Sequence, residues 1–298
     1  MYKNNINLNL YKDFYAVAKY GSLSKASKAT FTSAPAISKS IKKLEEELNR
    51  QLFYRNPNGM ELTNHGKKLL YYVEKSYNNL LIAERSMVEE DNLEKGKLSI
   101  GMPSNIGSFF LFDKIINFHS KYPNIEITII TGTTTKLIEL LETHQIDFVI
   151  DSAPINISLE NDYIKKKLDT VNYAFFTKND SIYSNIKSIK ELVNKPLILP
   201  IKNTANRISL DELFEKYHIT NYDALNLHTS EMIISAVKQN LGIGYVIENL
   251  VQNEKDLTIL NMQEELPTVD IILVYNTKYL TTAPQKFIKD YIDNTIEF

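Results

Sequence analysis

Residues 21–55 read GSLSKASKATFTSAPAISKSIKKLEEELNRQLFYR, and the spacing within this stretch decides how the N-terminal part of the chain folds. Ser33 is placed to cap a helix from Ala34 to about Leu48, with Pro35 in the first turn, where a missing N–H costs nothing. Ile37, Ile41, Leu44 and Leu48 recur at helical spacing as one apolar stripe. About half a turn away lie Pro35, Ser38, Lys39, Lys42 and Glu46. Short polar groups that reach base edges and lysines that reach phosphates are what a helix in the major groove needs. A solvated amphipathic helix would carry the same face. Ahead of it, Ser22 is placed to cap a shorter helix that buries Leu23, Ala26 and Thr30, so the two helices and the turn between them form a helix-turn-helix. Behind it, Phe53–Thr63 reads as a hairpin, or wing. Asn58-Gly59 supplies positive φ angles and Pro57 stays out of the ladder. Arg55 at the base of the wing suits either a phosphate contact or a surface salt bridge.

The charge distribution agrees with a nucleic-acid reader at one end. The net charge of −2 divides unevenly: residues 1–66 hold 10 Lys/Arg against 5 Asp/Glu, whereas residues 97–298 hold 19 against 25. Nucleic-acid affinity is therefore expected in the N-terminal part. At 298 residues the chain exceeds the usual size of one domain, and two or three compact units are expected. Without cysteine it has neither disulfides nor cysteine metal sites. No apolar run reaches membrane-spanning length, and MYKNNINLNLYKDF lacks a signal-peptide core, so no membrane partner and a cytoplasmic location are expected.

Residues 10–66 resemble the winged helix-turn-helix of LysR-type transcriptional regulators. The resemblance rests on Phe14, Val17, Gly21, Ala26, Ser33-x-Pro35-Ala36, Ser38, Ile41, Leu44-Glu45, the Leu52-Phe53-x-Arg55 wing and the Leu62-Thr63-x-x-Gly66 entry to the next helix. It implies that Ser22, Ser33, Ala34, Pro35, Ser38, Lys39, Lys42 and Arg55 face DNA. The chain departs from the family pattern at Ala34 (usually Gln), Thr30 (Leu), Ser27 (Ala) and Asn49 (Gly). Since that Gln is the strongest candidate base reader of the four, the operator sequence is not transferable from relatives.

A long helical pattern follows from Asn64 to about Leu93, capped by Thr63. Roughly thirty residues of helix would span about 45 Å and expose an apolar stripe that a small domain cannot cover. The stripe either packs on its own chain or pairs with a second copy. In LysR-type proteins this helix is the dimer contact, which implies an interface through Leu69, Val73, Tyr77 and Leu80. The acidic stretch from Glu89 to Gly96 reads as a hinge.

Beyond Lys97 short strand-like and helical segments alternate, which implies α/β units with mainly parallel sheets. This part resembles the family's effector-binding region, built like a periplasmic binding protein, with two α/β lobes joined by two crossings. The resemblance is carried by Leu98-Ser99-Ile100-Gly101, Tyr122-Pro123-x-Ile125, Ile146-Asp147-Phe148-Val149-Ile150 and Leu241-Gly242-Ile243-Gly244. The expected organisation is a reader at 1–63, a linker helix and hinge at 64–96, and an effector domain at 97–298. Within the last, one lobe holds about 97–165 and 267–298 and the other about 166–266, with crossings near 163–168 and 264–268. Ligands of open α/β sheets sit beyond the carboxyl ends of strands. The polar junctions there make Ser104, Asn105, Thr133, Thr134, Ile201 and Thr229 candidate effector contacts, each with a plain helix cap as its alternative. Hydroxyls and amide N–H groups suit a small carboxylate or similar anion, with Lys202 or Arg207 adding charge if either points inward.

Nothing supports catalysis or a resident cofactor. The histidines lack ligand spacing, no Gly-x-Ser-x-Gly elbow or P-loop occurs, and Gly242-x-Gly244 lacks the rest of a dinucleotide fingerprint. A solute-binding transport receptor would fit residues 97–298 but not the basic N-terminus. The reading is a homo-oligomer, dimer or tetramer, that binds double-stranded operator DNA as paired half-sites and senses a small anionic effector between two lobes. RNA polymerase is a further partner if it activates.

Overall fold

The computed structural model describes residues 7–57, 59–88, 95–155, 162–202, 204–220 and 222–298. The chain forms two compact units: one runs to Glu84 and takes in Glu142–Gln145, the other holds Arg85–Leu141 and Ile146–Phe298.

The first unit is built from α1 (Leu8–Tyr20), α2 (Leu23–Thr30), α3 (Ala34–Leu48), a hairpin of β1 (Phe53–Asn56) and β2 (Gly59–Leu62), and α4 (Asn64–Val88) as far as Glu84. The stripe on α3 buries Ile37, Ile41 and Leu44 completely against Phe14 and Val17 of α1 and Ala26 of α2. Leu48, read as the end of the stripe, is 38 % exposed, because the helix has run past the small core. The Ser33 hydroxyl accepts the Ala36 N–H at 3.4 Å, as its cap reading requires. Ser22 has the extended backbone of a cap but makes no side-chain cap bond, and of the three residues assigned to α2's buried face only Ala26 is fully buried. Asn49 closes α3 at φ 50°, a left-handed position that Asn tolerates in place of Gly.

Two glycines fix the wing. Gly21 ends α1 at φ 64°, and its carbonyl accepts the Met60 N–H at 2.8 Å. A Cβ at Gly59, itself at φ 136°, would collide with that same carbonyl. Asn58, the other half of the expected turn, lies outside the described residues. The Glu45 carboxylate accepts the Leu52 and Phe53 N–H groups at 2.7 and 3.2 Å, tying α3 to the strand that follows. Thr63 caps α4 by accepting the Gly66 N–H at 3.0 Å. Residues 89–94, the expected end of the linker helix and most of the hinge, lie outside the described residues.

The second unit contains β3 (Gly96–Met102), α5 (Ser104–Ile106) running through one π turn into α6 (Phe112–Lys121), β4 (Ile125–Thr131), α7 (Thr134–Glu142), β5 (Phe148–Ser152) and β6 (Ile164–Lys178). There follow β7 (Pro196–Pro200), α8 (Ala205–Lys216), β8 (Asp223–Leu227), α9 (Ser230–Lys238), β9 (Ile243–Ile247), β10 (Leu257–Ile259), β11 (Thr268–Tyr275) and α10 (Thr282–Phe287). The strands order as β4-β3-β5-β11-β6-β9-β7-β8, with β10 on β6. β3 is parallel to β4 and β5, and β7 to β8 and β9, which makes two parallel lobes. They are joined by antiparallel β6 and β11. The central strands read as apolar runs such as Ile243–Ile247, buried at every position because helices cover both faces.

β6 is the element that sequence reading truncated. The apolar pattern of Ala174–Thr177 marks only its end, yet the strand starts at Ile164 and pairs with β11 through Asn172 before exchanging it for β9 at Tyr173. Its first half includes Lys165-Lys166-Lys167 and is largely exposed, so it carries no hydrophobic signal. One expected crossing, near 163–168, falls on this strand, and the other, near 264–268, falls on the segment entering β11.

Candidate functional site

Two surfaces of the first unit bear on function. On α3, Lys39 and Lys42 are exposed and Ser38 is half-buried, and Lys42 pairs loosely with Glu46 at 3.8 Å, both side chains well solvated. The Arg55 guanidinium donates to Ser38 Oγ at 3.5 Å, so the wing and the polar face of α3 meet in one continuous strip. Ser33 and Pro35 are exposed at the start of the helix and Ala34 is half-buried there, while Ser22 stands half-buried at the start of α2, its hydroxyl free of a cap bond. Phe31, at the turn between α2 and α3, is 99 % exposed at φ 54°.

The second surface is a groove of about 350 Å³ between α1 and α4, lined by Leu69, Val73, Tyr77 and Leu80 together with Leu8, Tyr11 and Tyr72. Leu69 and Val73 lean on the domain core, whereas Leu80 and Tyr72 remain more than half exposed. The first turns of the helix thus cover its own domain, and its later turns present apolar surface. α1's contribution was missed because Leu8 and Tyr11 look like an ordinary helix start. Beneath the groove Tyr15 packs on Tyr77 with ring centroids 5.4 Å apart. Burial and the Glu74 carboxylate push the Tyr15 phenol up to about 12.

The second unit holds a cleft of about 600 Å³ at the carboxyl ends of β3, β4, β5, β7 and β8. Ser104, Asn105, Thr133, Thr134 and Thr229 line it. Ile201 does not: its N–H donates to Leu227 O at 3.1 Å and its carbonyl accepts the Thr204 hydroxyl at 2.8 Å, so it bridges β7 to its neighbours. Pro200 and Thr204, one residue before it and three after, reach the cleft instead. Thr133 and Thr229 are also helix caps, accepting the Lys136 and Met232 N–H groups at 3.4 and 3.3 Å. A capping hydroxyl spends a lone pair and keeps its O–H as a donor, so cap and ligand contact are compatible. The first-turn N–H groups of α7 and α9 have no acceptor within their helices and add donors at the same cleft.

Neither Lys202 nor Arg207 meets the condition of pointing inward. Lys202 is exposed and does not line the cleft. Arg207 is 1 % exposed, and its guanidinium donates to Asp211 Oδ1 (2.7 Å), Pro200 O (2.8 Å), Asn226 Oδ1 (2.6 Å) and the Tyr222 hydroxyl (3.0 Å). It is consumed in binding β7, α8 and β8 together. Sequence reading also missed Asp151, Ser152, Tyr173, Asn206 and His228, all in the lining. Asp151 had a usable signal, since it lies at the end of a strand on the ligand-binding edge of a parallel sheet, but the described residues that follow, as far as Ile155, start no helix. Burial holds its carboxyl above the usual range, opposed by hydrogen bonds from Thr134 and from the Ser152 N–H and hydroxyl. Burial likewise raises the Tyr173 phenol.

Comparison with known proteins agrees with this geometry at both ends. Residues 8–67 match the model described as "Bacterial regulatory helix-turn-helix protein, lysR family", and residues 91–293 match "LysR substrate binding domain". Among curated proteins, the HTH-type transcriptional regulator SoxR of Arthrobacter sp. (strain TE1826) is 28 % identical over 284 residues, 93 % of each chain. YofA of Bacillus velezensis is 25 % identical over 283 residues, 93 % of this chain and 94 % of its own. Among solved structures, a full-length OxyR variant from Pseudomonas aeruginosa superposes with TM-score 0.74 at 18 % identity, covering 97 % of this chain and 95 % of that one. Full-length CbnR complexed with its target DNA superposes with TM-score 0.56 at 16 % identity, covering 96 % and 98 %.

Proposed function

Because the chain belongs to the LysR family of transcriptional regulators, carrying both the DNA-binding and the substrate-binding domain, we propose that it reads DNA with the strip formed by α3 and the wing. In this reading Ser38 and the N-terminal residues of α3 meet base edges, and Lys39, Lys42 and Arg55 meet phosphates. A second copy seats on the α1–α4 groove, so that two readers engage paired half-sites and the second binds as an effectively intramolecular event. A small carboxylate-bearing effector occupies the two-lobed cleft and shifts the spacing of the readers on bent DNA. The protein works in the cytoplasm, performs no catalysis, and contacts RNA polymerase where it activates. The transport-receptor alternative has no use for the N-terminal domain.

The observation that carries the DNA reading is the 3.5 Å contact between Arg55 and Ser38, which makes helix and wing one basic strip on the N-terminal part of the chain, where positive charge is in excess. The test is operator binding after selection of sites from a random DNA pool. Lys39→Ala or Lys42→Ala lowers affinity for all sequences and reduces the salt slope by about one unit. Ser38→Ala changes sequence preference instead. Unchanged affinity and preference in all three variants would remove this strip as the reader.

A further inference from the structure

We propose that the cleft takes a zwitterion with an amine beside a carboxylate, of the α-amino acid class, its ammonium on Asp151 and its carboxylate on the threonine-capped first turns of α7 and α9. The inference rests on the reading of this cleft as the effector site and narrows it.

Asp151 lines the cleft at the end of β5 and is 1 % exposed. Its Oδ1 accepts the Ser152 N–H at 2.6 Å and the Ser152 hydroxyl at 3.4 Å, and the Thr134 side chain also interacts favourably with the carboxyl, while Oδ2, equally buried, makes no hydrogen bond among the described residues. Among the described residues of the lining the ionisable side chains are Asp151, Tyr173 and His228, with no lysine or arginine. Arg207, next in sequence to the lining residue Asn206, is spent inside its own lobe.

A buried carboxylate without a cation is an unfavourable arrangement, and the raised titration of Asp151 expresses that cost. The Ser152 donors hold one oxygen as an acceptor and leave the other requiring a donor. A ligand with only a carboxylate supplies none and adds like charge. A ligand ammonium supplies both the missing charge and up to three N–H donors. The carboxylate of the same ligand then uses what else the cleft offers: hydroxyls that keep their O–H after capping, and free N–H groups at the positive ends of α7 and α9, each nine residues long.

The test uses the full chain in a thermal-shift and calorimetric screen against the L-amino acids and, for every hit, the carboxylic acid of the same skeleton lacking the amine, at up to about 10 mM. The expected result is stabilisation by at least one amino acid, with its deaminated counterpart about 30-fold weaker or more. Asp151→Asn keeps the oxygen that accepts from Ser152 and should melt no lower than the parent without ligand at pH 7, yet lose the amino acid by a similar factor. Thr229→Trp, which fills the cleft from the other lobe, should abolish binding of any ligand there. Equal binding of the deaminated acid, an amino acid unaffected by Asp151→Asn, or no amino acid stabilising the chain overturns the inference. Binding of a carboxylate lacking the amine, abolished by Thr229→Trp, would overturn the inference and keep the cleft as effector site. A ligand response untouched by Thr229→Trp would overturn the cleft reading itself.

Discussion

Replacing Arg207 with Met separates a structural arginine from a ligand-binding one. The side chain is 1 % exposed and makes four hydrogen bonds, to a carboxylate, a backbone carbonyl, an amide oxygen and a phenol. Methionine fills much of the volume and makes none of them. Hydrogen bonds to a charged group contribute about 1.5–3 kcal/mol each but do not add, and removing one partner of a buried pair costs about 3–5 kcal/mol. Asp211 is 42 % exposed, so water recovers part of its loss, whereas Pro200 O is buried and cannot be resolvated without opening β7. The net expectation is about 3–4 kcal/mol. For a unit of roughly 200 residues that lowers the melting temperature by roughly 10 °C. Differential scanning calorimetry of the full chain should show the loss in the transition of the second unit, with the first unit's transition unmoved. A shift below about 2 °C together with loss of ligand response would refute the reasoning and return Arg207 to the ligand.

Other outcomes follow from the same geometry. Leu80→Lys puts a charge at a position already 54 % exposed within the chain, so melting should be unchanged while the dimer dissociates in sedimentation; an unchanged dimer mass would show that Leu80 is not in the contact. Gly66→Ala reverses the usual gain of alanine in a helix, because its Cβ would overlap Leu52 O and sit 2.9 Å from Leu62 Cδ2, costing about 1–3 kcal/mol in denaturant unfolding; a stabilised variant would show that the wing yields freely. Lys166 donates to Asp293 Oδ2 at 2.8 Å and to Thr295 Oγ1 at 2.7 Å, and with Thr295 it holds the Asp293 carboxyl down to about 2 from its ordinary 3.8. Since a depressed carboxylate stabilises the fold above its unfolded value, Lys166→Met should be less stable than the parent near neutrality, and the difference should fade as pH falls from 3.8 to about 2. A gap that persists at the acid end would assign the effect to packing.

The reader domain was legible because its determinants are local. The Ser33 cap, Pro35, the Ile37–Leu44 stripe and the Thr63-x-x-Gly66 entry act within one or two turns of chain, and periodicity and cap chemistry report on such spans directly. Even there, Ser22 stood at a cap position without bonding, since a cap's hydroxyl geometry depends on the rotamer and not on the residue type. The two-lobed α/β architecture was legible from alternating segments, but the first half of β6 was not, because an exposed lysine run becomes a strand only when β11 arrives about a hundred residues later to pair with it. The effector cleft divides in the same way. Threonines at strand-to-helix junctions announce themselves by position, whereas the states of two charged residues do not. Arg207 is withdrawn from the cleft by partners that β7, α8 and β8 bring together, and Asp151 is left without a cation because, among the described residues, the folded lobes place none in the lining beside it. Sequence determines which charges exist. Which are neutralised within the fold and which are left for a ligand is decided by long-range contacts, since the cost of a buried charge depends on every neighbour that folding assembles around it.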